Sequence, residues 1–418
     1  MRGNVQKLLQ GLSVTLVIAV LAGCVDRQVE APRLTGSPEP VTPTGTPEPE
    51  VAMYRQPFDG SPDQPDSLRP TNWDVTIHSR DSATWQQLEP MEAAHSADCG
   101  PPPATHPITD YADAVYQCKD HLMTAINASG YGVIYLTPGQ LVDFSEGLAV
   151  VQFDVSTLRT STRDWIDLWI TPYAENLQLP LRDWGPDLSG EPRNAVQIRM
   201  EKGDDKTIFK ANVIRDFEST EIEGNWWTGY EEFFTPSAKR RDTFQLRISK
   251  THIKFGLPAH DFWWVDTDIP ELSWEQGVVQ LGHHSYNPTK DCTDCAPNTW
   301  HWDNLVILPT VPFGIIPANR RFADETDAGV TFAQPAPDDA HLRFAGIGEN
   351  LEVSFDNGAT WQTAQLQDQE RIEEGHFRSY WMPIPSGVEQ VAFRGESWWG
   401  GGWYVRDLSL WTPPAQEH

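Results

Sequence analysis

From residue 132 to residue 307 the chain is written in short β-type runs closed by turn residues, a rhythm that an antiparallel sheet protein satisfies and a helical one does not. Residues 132–136 and 148–155 are apolar runs, and 165–171 is an aromatic one ended by Pro172. Residues 195–201 and 207–214 alternate apolar with polar on either side of Lys202-Gly203-Asp204-Asp205-Lys206, which predicts a hairpin. Residues 244–249 with 252–255 predict another, and 277–281 and 300–307 supply further strands. One short helix is expected over 111–126, where Val115, Cys118, Leu122 and Ile126 recur at helical spacing behind Asp110 as an N-cap. The expected class is all-β, a sandwich or jelly roll of antiparallel sheets with that one helix.

After Pro309 and Pro312 the pattern restarts. Residues 351–355 and 360–362 flank Asp356-Asn357-Gly358, a strong hairpin signal, and the last strands, 391–394 and 403–411, are separated by a Trp398-Trp399-Gly400-Gly401-Gly402 run. The chain is therefore divided near residue 310, into a larger sandwich over 71–310 and a smaller one over 311–414.

The N-terminus is of a different kind. Arg2 and Lys7 precede an apolar run, residues 12–22, too short for a comfortable membrane span and suited to a secretory leader. It ends in Leu21-Ala22-Gly23-Cys24, which resembles the bacterial lipobox; that resemblance implies lipidation of Cys24 and a protein anchored to a membrane outside the cytoplasm. Residues 25–70 are rich in Pro, Glu, Thr, Ser and Gly and too poor in aromatic residues to bury a core, so they read as a disordered stalk.

A formal charge of -28, from 31 basic and 59 acidic residues, argues against nucleic acid and anionic lipid surfaces as partners, which need positive counter-charge. Neutral ligands or divalent cations fit. There are 18 tryptophans in 418 residues, more than a core requires, and six stand in pairs at Trp226-Trp227, Trp263-Trp264 and Trp398-Trp399. Neighbours in a strand face opposite sides, so one member of each pair should point away from the core, where an indole offers a flat face and an N–H to a sugar. Besides Cys24 there are Cys99, Cys118, Cys292 and Cys295. Of three possible pairings, Cys99 with Cys118 and Cys292 with Cys295 are favoured because each closes a local loop; a zinc site joining Cys292 and Cys295 to His283, His284 or His301 is the alternative. No cofactor is expected, although Asp204-Asp205 and Asp338-Asp339 supply oxygen ligands of the kind a structural calcium takes.

Three segments resemble bacterial extracellular proteins with a concanavalin A-like lectin/glucanase domain: Gly132-Val133-Ile134-Tyr135-Leu136-Thr137-Pro138, Thr251-His252-Ile253-Lys254-Phe255-Gly256, and Asn298-Thr299-Trp300-His301-Trp302-Asp303-Asn304-Leu305. The resemblance implies a jelly-roll sandwich of two curved antiparallel sheets over 71–310, with glycan as the partner in the concave face. Glucanases of that superfamily carry a Glu-x-Asp-x-(x)-Glu run, which is missing here; the nearest strand offers Asp164 and Asp167, three apart and so on opposite faces.

A second carboxylate pair, Glu221 and Glu223, would share one face of a regular strand at the spacing a retaining glycosidase uses, which keeps a polysaccharide hydrolase as an alternative. The favoured site gathers His283, His284 and Tyr286 with Trp300, His301, Trp302 and Asp303 at one rim, His301 and Asp303 facing opposite to Trp300 and Trp302 so that one set is buried. Trp226, Trp227, Trp263 and Trp264 are further stacking candidates. Trp361, Trp398, Trp399 and Trp403 suggest another platform near the C-terminus. The function expected is carbohydrate binding by a lectin-like lipoprotein, with a hydrolase or a structural, adhesive surface protein as the alternatives.

Overall fold

The computed structural model describes residues 52–59, 72–79, 114–118, 120–126, 131–159, 164–175, 192–202, 207–227, 242–286, 298–318, 322–323, 328–364, 378–396 and 403–414. Residues 1–51 lie outside these, and with them the leader and Cys24. Val51–His418 is one compact body.

That body is built from antiparallel sheets. An eight-stranded sheet runs in the order Phe262–Asp268, His252–Leu257, Asp242–Ile248, Ala149–Arg159, Asn298–Leu308, Leu122–Ile126, Ala114–Gln117, with Tyr54–Gln56 also paired to Asn298–Leu308. A nine-stranded sheet runs Glu218–Trp227, Thr207–Arg215, Ala195–Lys202, Asp164–Pro172, Gln276–Tyr286, Tyr131–Pro138, Trp73–Ser79, and takes in Gln140–Asp143 and Thr310–Pro312. Their facing sides form one core, with Phe153, Phe244, Phe255, Trp300 and Trp302 from the first meeting Ile166, Leu168, Ile198, Val279 and Leu281 from the second. Each such side chain contributes roughly 1.5–3 kcal/mol on burial, which is what holds the sheets face to face.

Residues 314–412 supply a smaller sandwich with its own core around Leu342, Phe344, Val353, Phe393 and Leu410. Its five-stranded sheet is locked onto the first sandwich. Asp74 and Arg343, each 1% exposed, form an ion pair; Ser409 Oγ donates to Asp74 Oδ2 at 3.2 Å, and the guanidinium lies 4.7 Å from the Trp411 ring centre. Around them Leu141 and Val278 pack on Phe313, Ile315 and Trp411. Asn72 clips the same seam, its Nδ2 donating to Phe313 O at 2.8 Å while its Oδ1 accepts from Ile315 N.

Two local features depart from the sequence reading, and the first lies in the expected stalk: Tyr54–Gln56 is a strand paired to Asn298–Leu308, and Phe58 is buried in the core. The helix expected over 111–126 is a hairpin wherever the chain is described: Ala114–Gln117 pairs with Leu122–Ile126, and Cys118 N donates to His121 O at 2.8 Å across the turn. Val115, Cys118, Leu122 and Ile126 are buried as their spacing suggested, but as strand residues; β-branched Val115, Thr124 and Ile126 suit a pleat, and Asn298–Leu308 alongside takes up the backbone bonds. The pair Trp263-Trp264 does split as alternation requires, through a bulge that sets Phe255 opposite Val265 but Gly256 opposite Trp263. Trp264 turns inward onto Phe209, ring centres 4.0 Å apart, and Trp263 stays on the outer face. Gly256 permits this, since a Cβ there would lie 2.1 Å from Phe262 O.

Candidate functional site

The strand Asp164–Pro172 and its neighbour Gln276–Tyr286 each carry two polar residues destined for different places. Asp164 and Asp167 are on opposite faces, as their spacing requires, and so are the adjacent His283 and His284, which sit level with Ile166 and Trp165. Each histidine meets one aspartate.

On the inner face His283 Nε2 lies 3.3 Å from Asp164 Oδ1, both side chains wholly buried. His283 Nδ1 is 3.0 Å from Thr124 Oγ1, which also accepts from Trp302 Nε1 at 2.9 Å, and Trp300 stands edge-on to the imidazole. Burial pushes the Asp164 carboxyl up from its ordinary range, against the pull of His283 and Trp300. Burial likewise pushes His283 down, against the attraction of Asp164. Both shifts favour uncharged forms. His283, Trp300 and Trp302 thus come together as the sequence reading proposed, but inside the core rather than at a ligand rim.

On the outer face the register builds a grid. One row is Asn212, Gln197, Trp169, Gln280; the next is Lys210, Arg199, Asp167, Gly282, Tyr135; a third is Glu201, Trp165, His284, Val133. His284 stacks on Trp165 with ring centres 4.8 Å apart and planes 10° apart, and Tyr135 stands edge-on to it at 5.3 Å. The Arg199 guanidinium lies 4.4 Å from the Trp165 ring centre, and its Nη2 donates to Glu201 Oε2 at 2.8 Å. Asp167 accepts from His284 Nε2 at 3.1 Å and from Gln197 Nε2 at 3.3 Å, and Gln197 in turn accepts from Asn212 Nδ2 at 2.9 Å. Gly282 makes room for this: a Cβ there would lie 1.9 Å from Asp167 Oδ1. Trp165, Trp169, Asp167 and His284 are buried, whereas Gln197, Arg199, Glu201 and Asn212 are half-buried along one side. Fixed donors and acceptors around flat rings form a surface suited to reading a polar, ring-shaped ligand.

The remaining sequence candidates are dispersed. His301 and Asp303 face away from Trp300 and Trp302, yet both sets are buried: His301 Nδ1 is 2.7 Å from His121 Nε2, and Asp303 accepts from Asn304 N at an irregularity of the strand. Trp264 is core. Trp263 is half-buried, with Lys254 Nζ and the Arg247 guanidinium 4.5 and 4.8 Å from its ring centre. Trp361 is faced by Arg394 at 4.3 Å, and Trp403 is buried. The carboxylate pair does not share a face: a bulge sets Glu221 opposite Asn212 but position 223 opposite Ala211, so Ile222 is the extra residue and alternation breaks there. Glu221 is exposed and paired with Lys210 at 3.2 Å. The strands carrying Glu223, Trp226, Trp227 and Tyr286 are described but those side chains are not, and Cys24, Cys99, Cys292, Cys295, Trp398 and Trp399 lie outside the described residues. Cys118 is buried and disulfide-bonded. Among the described residues no three His, Cys, Asp or Glu side chains gather as a metal site, and His283 and His284 cannot share one because the sheet lies between them.

Trp165, Trp169, Gln197, Arg199 and Asn212 were missed as site residues. Their signal was present in the alternation of 195–201, which places Gln197, Arg199 and Glu201 on one face.

No protein-family model matches this chain, and neither does any curated protein. Solved structures that resemble it include the Emp46p carbohydrate recognition domain in its potassium-bound form, at 9% identity over 47% of this chain and 86% of that one, TM-score 0.34. Others are the metal-free VIP36 exoplasmic/lumenal domain, at 10% identity, 47% and 82% coverage and TM-score 0.32, and a Bacillus subtilis protein with a galectin-like fold, at 10%, 62% and 97%, TM-score 0.35. At TM-scores below 0.5 these likenesses carry no weight beyond the sheets described above.

Proposed function

We propose that this protein binds glycan on the outer face of its nine-stranded sheet, outside the cytoplasm, where a lipid on Cys24 and the stalk hold it to a membrane. The observation that carries the reading is the relay from Asn212 through Gln197 to Asp167, met from the other side by His284 and set over Trp165. Side chains hydrogen-bonded to one another in this way hold donors and acceptors at fixed angles. The lectin-like resemblance of three sequence segments points the same way. The hydrolase alternative loses support, because its two carboxyl positions fall on different faces.

The test is retention of the full chain, carrying Cys24→Ser to prevent lipidation, on a glycan array and on immobilised polysaccharides, with and without calcium. Specific retention that Asp167→Ala weakens at least tenfold is expected. Folded protein that is retained by none of the glycans would end this reading and favour the structural, adhesive one.

A further inference from the structure

Two buried N–H donors stand out on the outer face. Trp169 Nε1 and Arg199 Nε are closed to solvent and neither has an acceptor. Around them Arg199 Nη2 is on Glu201, Lys210 is on Glu221, and Asp167 is taken by Gln197 and His284. A buried N–H without an acceptor is costly and rare in a folded protein, and a ligand atom that meets it returns that cost as affinity. Trp169 and Arg199 are diagonal neighbours across the paired strands, since Trp169 is level with Gln197, so their α-carbons stand about 7–8 Å apart. One pyranose ring is large enough to address both.

We propose that the outer face takes an uncharged sugar through its oxygens, with Trp169 Nε1 and Arg199 Nε donating to one residue of the glycan. The proposal rests on the glycan reading above and narrows it. Indole and guanidinium nitrogens donate and do not accept, so the ligand atoms facing them are acceptors. A uronate or sulfate is disfavoured: Asp167, Glu201 and Glu221 stand on this face against Arg199 and Lys210, and among the described residues both cations are already in ion pairs. A further anion would meet carboxyl groups with no free cation to offset them. Both donors are closed to solvent, so the ligand must part the half-buried margin at Gln197 and Asn212 to reach them.

The experiment uses the full Cys24→Ser chain against galactan, xylan, mannan and β-glucan, and against polygalacturonate and alginate. Neutral polysaccharide should be retained and the uronates should not, and Trp169→Phe and Arg199→Lys should each weaken retention about tenfold. A readout without loss of packing is the indole N–H resonance of Trp169, assigned from the Trp169→Phe spectrum, which should move downfield on titration with the retained neutral oligosaccharide. Preferential retention of uronates, or unchanged affinity in both variants with a stationary indole resonance, would overturn this proposal and leave the glycan reading standing. Retention of neither class by folded protein would overturn both.

Discussion

The two faces of the nine-stranded sheet hold the same chemical pair, built from the same two strands, and put it to opposite uses. Asp164 with His283 is sealed in the sandwich core beside Thr124, Trp300 and Trp302. Asp167 with His284 lies one turn of the pleat away, fed by amides and stacked on Trp165. Position along the strand decides which aspartate meets which histidine, and the surroundings decide what the pair can do. The inner pair is a buried contact in a place that disfavours charge; the outer one is the centre of a polar relay with a half-buried margin.

Removing one partner should separate the faces most sharply. His283→Ala leaves Asp164 buried without its imidazole and opens a cavity, so a loss of about 3–4 kcal/mol in chemical denaturation is expected, with glycan affinity per folded molecule unchanged. His284→Ala should cost less, about 1–2 kcal/mol, and should reduce glycan retention instead. If both variants lose stability alike and neither changes retention, the outer pair is structural too and the comparison collapses.

A smaller effect isolates the geometry of the outer pair. Gly282→Ala places a methyl where Asp167 Oδ1 now lies, so the carboxyl must swing off His284. Overpacking of this kind costs about 1–3 kcal/mol. The expected signature is a modest fall in Tm with a larger fall in retention than His283→Ala produces. Full retention in Gly282→Ala would show that the Asp167–His284 alignment is dispensable.

How much of this was legible beforehand follows the same line. The strands around Trp165, Gln197 and Phe244 were readable because alternation and turn residues are local signals, and the opposite facing of Asp164 and Asp167 came from counting. The same counting separates His283 from His284, yet as neighbours in sequence they read as one site. Residues 114–126 misled because a short apolar period fits a helix as well as a hairpin until the strand Asn298–Leu308 is there to pair with. Glu221 and Glu223 misled because nothing local announces the bulge at Ile222. The outer face was hardest: Arg199 and Gln197 look like ordinary solvent-side residues until the register sets them beside Asp167 and Trp165.

The finest test of the comparison is pH. The His283 imidazole titrates below its ordinary value of 6.5 because burial outweighs Asp164, so the unfolded chain takes up its proton first. That stability is whole above pH 6.5 and is lost as pH falls through the lowered value. Asp164 runs the other way: its pKa is raised from 3.8 by burial, so its contribution is whole below 3.8 and is lost as pH rises through the raised value. Where both groups titrate the two slopes oppose one another, so the pair together adds less to the pH dependence of Tm than either group alone would. Asp164→Asn removes the opposing slope, so its Tm should fall more steeply with acid below pH 6.5 than that of wild type, by a margin that His283→Gln in the same background abolishes. Parallel Tm profiles for wild type and Asp164→Asn would mean that the inner pair does not titrate as an uncharged, buried couple.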